Sequence, residues 1–254
     1  MGFTFSHPAL ILPFRYLPKK SYSLNGLVIG SMIPDLEYFI HLDNASTHSH
    51  RLLGLFWFDL PMAIIVSIVF HQLIRNVLLQ NLPLFLYQRF YRFIKFNWID
   101  HLKKNWIVVC YSIIIGTLTH FLWDSFTGQD GYFVSHNSFL MMQLHYGNIN
   151  VYLFQIIKYS SSLIGLLLVI YTVLKLPKNE LVKNNSNMLY WIVIASLSIL
   201  FIILRLLIQD NDERTLTVLI KIAISSGLFA MILSSLYQKY GLKFRSLNAN
   251  NHQN

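Results

Sequence analysis

Residues 106–124 read WIVVCYSIIIGTLTHFLWD, and this stretch indicates both the type of fold and the place of a polar site. Up to Trp123 it is almost entirely apolar, and it is close to the roughly 20 residues that a helix needs to cross about 30 Å of hydrocarbon. Near its end stand His120 and Asp124, four residues apart and therefore one turn apart on the same face of a helix. An imidazole and a carboxylate placed in this way can share one divalent cation, Zn²⁺ especially.

Four further apolar runs have the length of a membrane span. With residues 106–123, the predicted spans are residues 53–71, 151–174, 189–208 and 215–236. The chain of 254 residues is 54% hydrophobic and 12% charged, with a mean hydropathy of +0.48, whereas about 25% of an ordinary soluble domain is charged. The sequence therefore predicts an all-α, polytopic membrane helix bundle with about five transmembrane helices, and it argues against a soluble enzyme or a disordered chain.

The net charge of +9 is explained by basic loops between the spans rather than by a nucleic-acid partner. Residues 73–105, residues 175–188 and the C-terminal tail are rich in Lys and Arg, whereas residues 124–150 contain neither and residues 209–214 are mainly acidic. Because basic loops stay on the cytoplasmic side, this alternation places residues 124–150 outside and the C-terminus in the cytoplasm. We expect an integral protein of the bacterial cytoplasmic (inner) membrane. The one cysteine, Cys110, provides neither an intrachain disulfide nor a thiolate metal site.

The first 50 residues precede the spans and carry mixed charge. We predict two short helices, at about 7–17 and 23–34, that form a helical hairpin dipping into the bilayer or lying on it. Pro34 disfavours a helix at Ile33, so the second helix should end there, and Pro8 can start the first. Residues 1–175, with the hairpin and three spans, form the site-bearing part. Residues 176–254 add two apolar spans and the basic tail to the same bundle.

Four polar elements can meet at the outer end of such a bundle, and their convergence predicts a metal site. They are His7 in residues 6–8, Asp35 and Glu37 in residues 34–37, His48 and His50 in residues 46–51, and the pair His120 and Asp124. Three of these four elements also have a simpler explanation, and His7 alone indicates little. The His120 and Asp124 pair can be a hydrogen bond that packs helices, Asp35 can cap a helix, and His48 and His50 can be solvated loop residues. Asp59, inside the first span, can be a buried structural partner.

Four motifs resemble a known bacterial family. FSHP at 5–8, IGSMIPDLEYF at 29–39, HRLLGLF at 50–56 and THFLWDSFT at 119–127 together resemble the family called domain of unknown function 4184, or DUF4184. The resemblance runs to about residue 175. It implies a fold but no reaction, since that family has no established activity.

The order of these motifs is also similar to two groups of metal enzymes. They are the predicted membrane-bound metal-dependent hydrolases of bacterial inner membranes and, more faintly, the zinc-dependent phospholipase C group. This likeness implies a metal ligand set of His7, Asp35, His50 or His48, His120 and Asp124. The phospholipase group has a further His, His and Glu, whereas here no Glu follows before Glu180. The likeness therefore implies one or two zinc ions and not a three-metal cluster.

The leading hypothesis is a zinc-dependent hydrolase that acts on a phosphoester or lipid-linked substrate at the level of the membrane head groups. Asp35 or Asp124 would act as general base if not fully engaged with metal, and Arg51 would bind an anionic head group. Glu37 and Asp59 would orient the ligands. Two alternatives remain open: a transporter component that uses Asp59 and His120 as a proton or cation path, and a non-catalytic membrane protein with a structural metal.

Overall fold

The computed structural model describes residues 2–41, 48–147, 149–184, 186–208 and 215–241, and this part of the chain is mostly helical. Five helices are long and apolar enough to cross a membrane, which confirms the predicted all-α membrane architecture. They are Leu55–Asn81, Trp106–Ser135, Leu153–Leu174, Met188–Ile208 and Thr217–Tyr240. The acidic loop 209–214 and the tail beyond residue 241, both used to predict orientation, lie outside the described residues.

The α-helices are labelled in chain order. They are α1 (Leu24–Gly30), α2 (Leu36–His41), α3 (Leu55–Asn81), α4 (Leu84–Phe90), α5 (Trp98–Lys104), α6 (Trp106–Thr127), α7 (Tyr132–Ser135), α8 (Leu153–Leu174), α9 (Met188–Ile208) and α10 (Leu216–Leu236). Short 3-10 segments cover Thr4–Tyr16, Lys19–Ser21, Ile33–Asp35 and Tyr91–Phe93, and π-helical turns cover Leu55–Asp59, Phe70–Ile74 and Tyr237–Gly241. The sequence analysis did not predict the small antiparallel hairpin of β1 (Gln143–Tyr146) and β2 (Ile149–Tyr152) that precedes α8.

The first long helix extends ten residues beyond the predicted end at residue 71. It stops at Asn81, where Leu82 takes an extended conformation with φ −65° and ψ 149° in front of Pro83. The steric bulk of a proline disfavours the helical conformation in the residue before it, so Pro83 and not the end of the apolar run terminates α3.

The N-terminal hairpin differs from its predicted form. The first segment is a 3-10 helix that begins at Thr4, before Pro8, because Pro8 and Pro13 remove amide hydrogens that an α-helix would need. The second helix ends at Gly30 and not at Ile33, and the chain continues through a 3-10 turn that contains Pro34.

Helix α1 packs directly against α6 through glycines, and this contact positions the polar site. A Cβ atom on Gly30 would lie 2.2 Å from the carbonyl oxygen of Ile113, and one on Gly116 would lie 2.4 Å from that of Leu27. The hydroxyl of Thr117 donates to the carbonyl of Gly30 at 3.2 Å. Only the lack of a side chain at both glycines lets the two backbones approach so closely.

The described chain forms two compact units. The first comprises Met1–Glu37, Ser46–Ile65 and Asp100–Lys175, and the second comprises Tyr38–Ala45, Val66–Ile99 and Leu176–Asn254. The first unit contains all the residues predicted to hold or surround a metal. In the second unit Tyr190, Ile194 and Ala230 form a buried apolar cluster between α9 and α10.

Candidate metal centre

Helix α6 presents His120 and Asp124 on one face, as their spacing predicts. The side chain of His120 is fully buried and that of Asp124 is 16% exposed, and Nε2 of His120 lies 3.4 Å from Oδ2 of Asp124. The pair is therefore on the inward side of the helix, at the end where α6 approaches the 3-10 turn Ile33–Asp35.

Asp35 lies in that turn and reaches the same point. Its side chain is fully buried, and Oδ1 lies 3.6 Å from Nε2 of His120. The other carboxylate oxygen, Oδ2, accepts a hydrogen bond of 2.5 Å from the hydroxyl of Thr4. Thr4 belongs to the N-terminal 3-10 segment, so that segment holds the carboxylate of Asp35 in a fixed orientation.

His50 completes a group of four. Its Nε2 lies 3.6 Å from Oδ2 of Asp124 and 4.0 Å from Oδ1 of Asp35. One ligand atom from each of Asp35, His50, His120 and Asp124 lies within 4.8 Å of all the others, so the group could hold a metal ion. In a tetrahedral zinc site with bonds of about 2.0–2.2 Å, neighbouring ligand atoms are about 3.3–3.6 Å apart. Of the six separations among four atoms, three are 3.4–3.6 Å and fall within this range, a fourth is 4.0 Å, and all lie within 4.8 Å, so the ligands would have to draw together slightly around an ion.

Hydrogen bonds at the far side of the two imidazoles orient them toward this point. Nδ1 of His120 lies 2.9 Å from the carbonyl oxygen of Ser31, which can only accept, so Nδ1 carries a proton and Nε2 is the nitrogen that faces the cluster. Nδ1 of His50 lies 3.0 Å from the hydroxyl of Ser49. This is the arrangement by which metal-binding histidines are usually held in the tautomer that ligates.

Two of the buried polar atoms make no hydrogen bond to any described residue: Oδ1 of Asp35 and Nε2 of His120. A buried polar atom without a partner costs free energy, so such atoms are rare unless something else binds them. Burial also raises the pKa of Asp35 above its ordinary value of 3.8, because an isolated carboxylate is poorly solvated there. A cation at the centre of the group would satisfy both atoms and balance the carboxylate charge.

His7, a predicted ligand, lies beside the group of four and not within it. Its ring stacks on that of His120 with centroids 4.0 Å apart, and its Nε2 lies 3.9 Å from Oδ1 of Asp124. Both ring nitrogens are buried and make no hydrogen bond to a described residue. Burial, followed by the charge of His120, lowers the pKa of His7 from 6.5 to about 3, so its imidazole is neutral at physiological pH.

The remaining predicted residues surround the site in different ways. Glu37 is buried and accepts backbone hydrogen bonds from His48, at 3.1 Å, and from Ser49, at 2.8 Å, so it anchors the loop that carries His50. The ring of His48 contacts that of Trp57 at 4.9 Å and is not part of the group of four. Asp59 is buried in the first π-helical turn of α3, and neither of its oxygens accepts a hydrogen bond from a described residue. Arg51 is exposed and follows His50 in the chain.

The group of four is closed on one side and open on the other. Asp35 and His120 are fully buried, whereas the side chains of His50 and Asp124 are 21% and 16% exposed. The exposed edge of the group is therefore formed by His50 and Asp124. Leu52, Leu53 and Phe56, in the loop and first turn that follow His50 in the chain, expose apolar side chains.

Sequence reasoning missed three residues that support the ligands: Thr4, Ser31 and Ser49. Thr4 and Ser49 act through hydroxyl groups, and Ser31 acts through its backbone carbonyl. The carbonyl of Ser31 leaves no signal in the sequence, because every residue type provides one. Thr4 and Ser49 lie within three residues of His7 and His50, and this proximity was the only signal available for them.

The model of a protein family described as "Domain of unknown function (DUF4184)" matches residues 1–237. The chain therefore belongs to this family, and the match extends well beyond residue 175, where the resemblance was expected to end. No curated protein and no solved structure matches the chain.

Proposed function

We propose that this DUF4184 protein is a zinc-dependent hydrolase of the membrane, with one zinc ion held by Asp35, His50, His120 and Asp124. The observation that carries the proposal is the convergence of these four ligand atoms, from three separate segments of the chain, within 4.8 Å of one another. The proposed substrate is a phosphoester or lipid-linked molecule at the head-group level of the bacterial inner membrane.

The donor set favours zinc over the hard cations. Two imidazole nitrogens and two carboxylate oxygens suit Zn²⁺, which accepts nitrogen and oxygen donors in a tetrahedron, whereas Ca²⁺ and Mg²⁺ prefer oxygen ligands. The Ser31 carbonyl and the Ser49 hydroxyl hold the two imidazoles with Nε2 toward the cluster.

Partial exposure of the group supports catalysis over a structural role. Structural zinc sites are closed, whereas catalytic sites keep a position open for water or substrate. Four protein ligands fill a tetrahedron, so catalysis here would require Asp124, on the exposed side of the group, to leave the zinc and give its position to water. A zinc ion bound at the group would supply a Lewis acid and lower the pKa of a bound water from its value in bulk solvent towards about 7.

The chain's own residues would then position the substrate and move the proton. Once released from the zinc, Asp124 would be the better placed of the two aspartates to take a proton from water, because its side chain is partly exposed and that of Asp35 is fully buried. Arg51, exposed next to His50, would bind an anionic phosphate through its planar fork of donors. The exposed Leu52, Leu53 and Phe56 provide apolar surface for the acyl chains of a lipid-borne substrate.

Metal content and hydrolysis, measured together, test this proposal. The detergent-purified protein should contain about one zinc per chain and should hydrolyse a chromogenic phosphodiester or a fluorescent phospholipid. His120→Ala should lose both zinc and hydrolysis, whereas His136→Ala, which removes an exposed imidazole, should retain both. Unchanged zinc in His120→Ala would reject the site. Bound zinc that stabilises the wild-type protein without any turnover would reject the hydrolase and leave a structural metal.

A further inference from the structure

A second polar site lies in the second unit, where a pocket of about 560 Å³ opens between α3, the segment before α5 and the turn after α10. Its volume is in the range of about 300–1,000 Å³ that is usual for ligand sites. Four basic side chains line it: His71, Arg75, Lys95 and Lys239. None of the described residues that line the pocket is acidic.

Arg75 forms the buried part of this basic lining. Its side chain is buried, and the guanidinium donates to the carbonyl oxygens of Phe96, at 2.6 Å, and Ile94, at 3.2 Å, and to Oδ1 of Asn76, at 3.0 Å. All these acceptors are neutral, and no described carboxylate lies within 4.0 Å of the guanidinium. The positive charge in the pocket wall is therefore not neutralised by the described protein, and burying an arginine in this way is costly without an anion.

His71 lies in the pocket wall beside Arg75. Its ring stacks on Trp98 with centroids 5.6 Å apart and planes 9° apart, and its Nδ1 lies 3.1 Å from a guanidinium nitrogen of Arg75.

Lys95 and Lys239 are exposed and contribute charge at the edge of the pocket. Nζ of Lys239 donates to the carbonyl oxygen of Gln72 at 2.6 Å, which holds this ammonium group beside the pocket. Lys95 lies in the basic stretch 73–105 that the charge pattern predicts to be cytoplasmic, where the membrane surface is rich in anionic lipids.

We propose that this pocket binds the phosphate group of an anionic ligand, independently of the metal centre. Arginine, histidine and lysine side chains without acidic neighbours are the groups that recognise phosphate, since they offer several charged or polar N–H donors to its oxygens. The same chemistry would hold an anionic phospholipid head group or free inorganic phosphate, and basic pockets beside membrane helices are sites for such head groups.

The test uses the full-length protein in detergent and two double variants of equal charge. Lys95→Gln/Lys239→Gln removes two charges from the pocket. Lys178→Gln/Lys183→Gln removes two from exposed positions that do not line it. Arg75 is left intact because its hydrogen bonds to Ile94 and Phe96 also hold the fold. Native mass spectrometry measures binding of phosphatidylglycerol against phosphatidylcholine, and calorimetry measures binding of inorganic phosphate.

We expect the wild-type protein to bind phosphatidylglycerol in preference to phosphatidylcholine. The pocket variant should bind it about 25-fold more weakly, because each of the two lost charges near the surface weakens binding about 5-fold. The control variant should change by less than about 2-fold. Binding of inorganic phosphate with the same dependence on the pocket lysines would identify free phosphate as the ligand. If the two double variants have the same affinity as each other for phosphatidylglycerol, and likewise for inorganic phosphate, the proposal is overturned.

Discussion

Gly30→Ala tests whether the close packing of α1 against α6 builds the metal centre. The new Cβ atom would lie 2.2 Å from the carbonyl oxygen of Ile113, whereas ordinary contacts begin near 3.4 Å. The obstacle is backbone and not a flexible side chain, so α1 has to move away from α6 by about 1.2 Å. Inserting one methyl group into such a contact typically costs about 1–3 kcal/mol of stability.

The same shift should reach the ligands. A displacement of this size would lengthen the hydrogen bond from Nδ1 of His120 to the carbonyl of Ser31 from 2.9 Å to about 4 Å, beyond hydrogen-bond range. It would also move Asp35, which follows α1 in the chain. Losing the partner that orients a ligating histidine typically weakens metal binding about 10- to 100-fold. We expect a loss of zinc affinity in this range together with a lower melting temperature.

The assay is competition for zinc against a fluorescent chelator in detergent, with the melting temperature measured on the same samples. Gly227→Ala is the matched control, because a Cβ atom on Gly227, in α10, meets nothing within 4 Å. That change should leave zinc affinity unaltered and should not lower stability, since alanine favours a helix. If Gly30→Ala binds zinc with wild-type affinity and melts at the wild-type temperature, the argument that close glycine packing positions Ser31 and Asp35 is wrong.

Three other changes should act on the site in distinct ways. Thr4→Val removes the hydroxyl that donates to Oδ2 of Asp35 and should weaken zinc binding about 10-fold or more in the same chelator competition. Thr4→Ser keeps a hydroxyl and should bind zinc with close to wild-type affinity. Gly54→Ala places a Cβ atom 1.8 Å from the carbonyl oxygen of His48, so the loop must shift and zinc content should fall; unchanged zinc would contradict this. For the metal-free protein, His7 has a pKa of about 3 when folded and 6.5 when unfolded, so the unfolded chain binds more protons between these values. The free energy of unfolding should therefore fall as the pH drops below about 6.5, by roughly 2–3 kcal/mol at pH 4.5. The melting temperature of His7→Gln should depend less steeply on pH than that of the wild-type protein.

Much of the architecture could be predicted from the sequence because its physical cause is local. Each apolar run long enough to cross a bilayer corresponds to a long helix, since backbone groups in lipid must satisfy one another within the segment. The shared face of His120 and Asp124 follows in the same way from the pitch of an α-helix. The end of α3 also has a local cause, Pro83, although the apolar run alone predicts an end at residue 71.

The hairpin and the support of the ligands were harder to predict. Pro8 and Pro13 turned an expected α-helix into a 3-10 segment, and this geometry brings Thr4 to the carboxylate of Asp35. The role of Glu37 is similar: its carboxylate holds backbone amides of a loop eleven residues away, and no spacing rule links such positions.

The sequence by itself determined that this chain is an apolar helical protein with five long spans, and which residue types are available to bind a metal. Those properties follow from hydropathy and helical period, which depend on neighbours in the chain. Only the tertiary structure decided that His50 and not His48 joins Asp35, His120 and Asp124, and that His7 stacks beside them. The physical reason is that ligand geometry depends on how closely separate segments approach, and here backbone contact at Gly30 and Gly116 sets that distance.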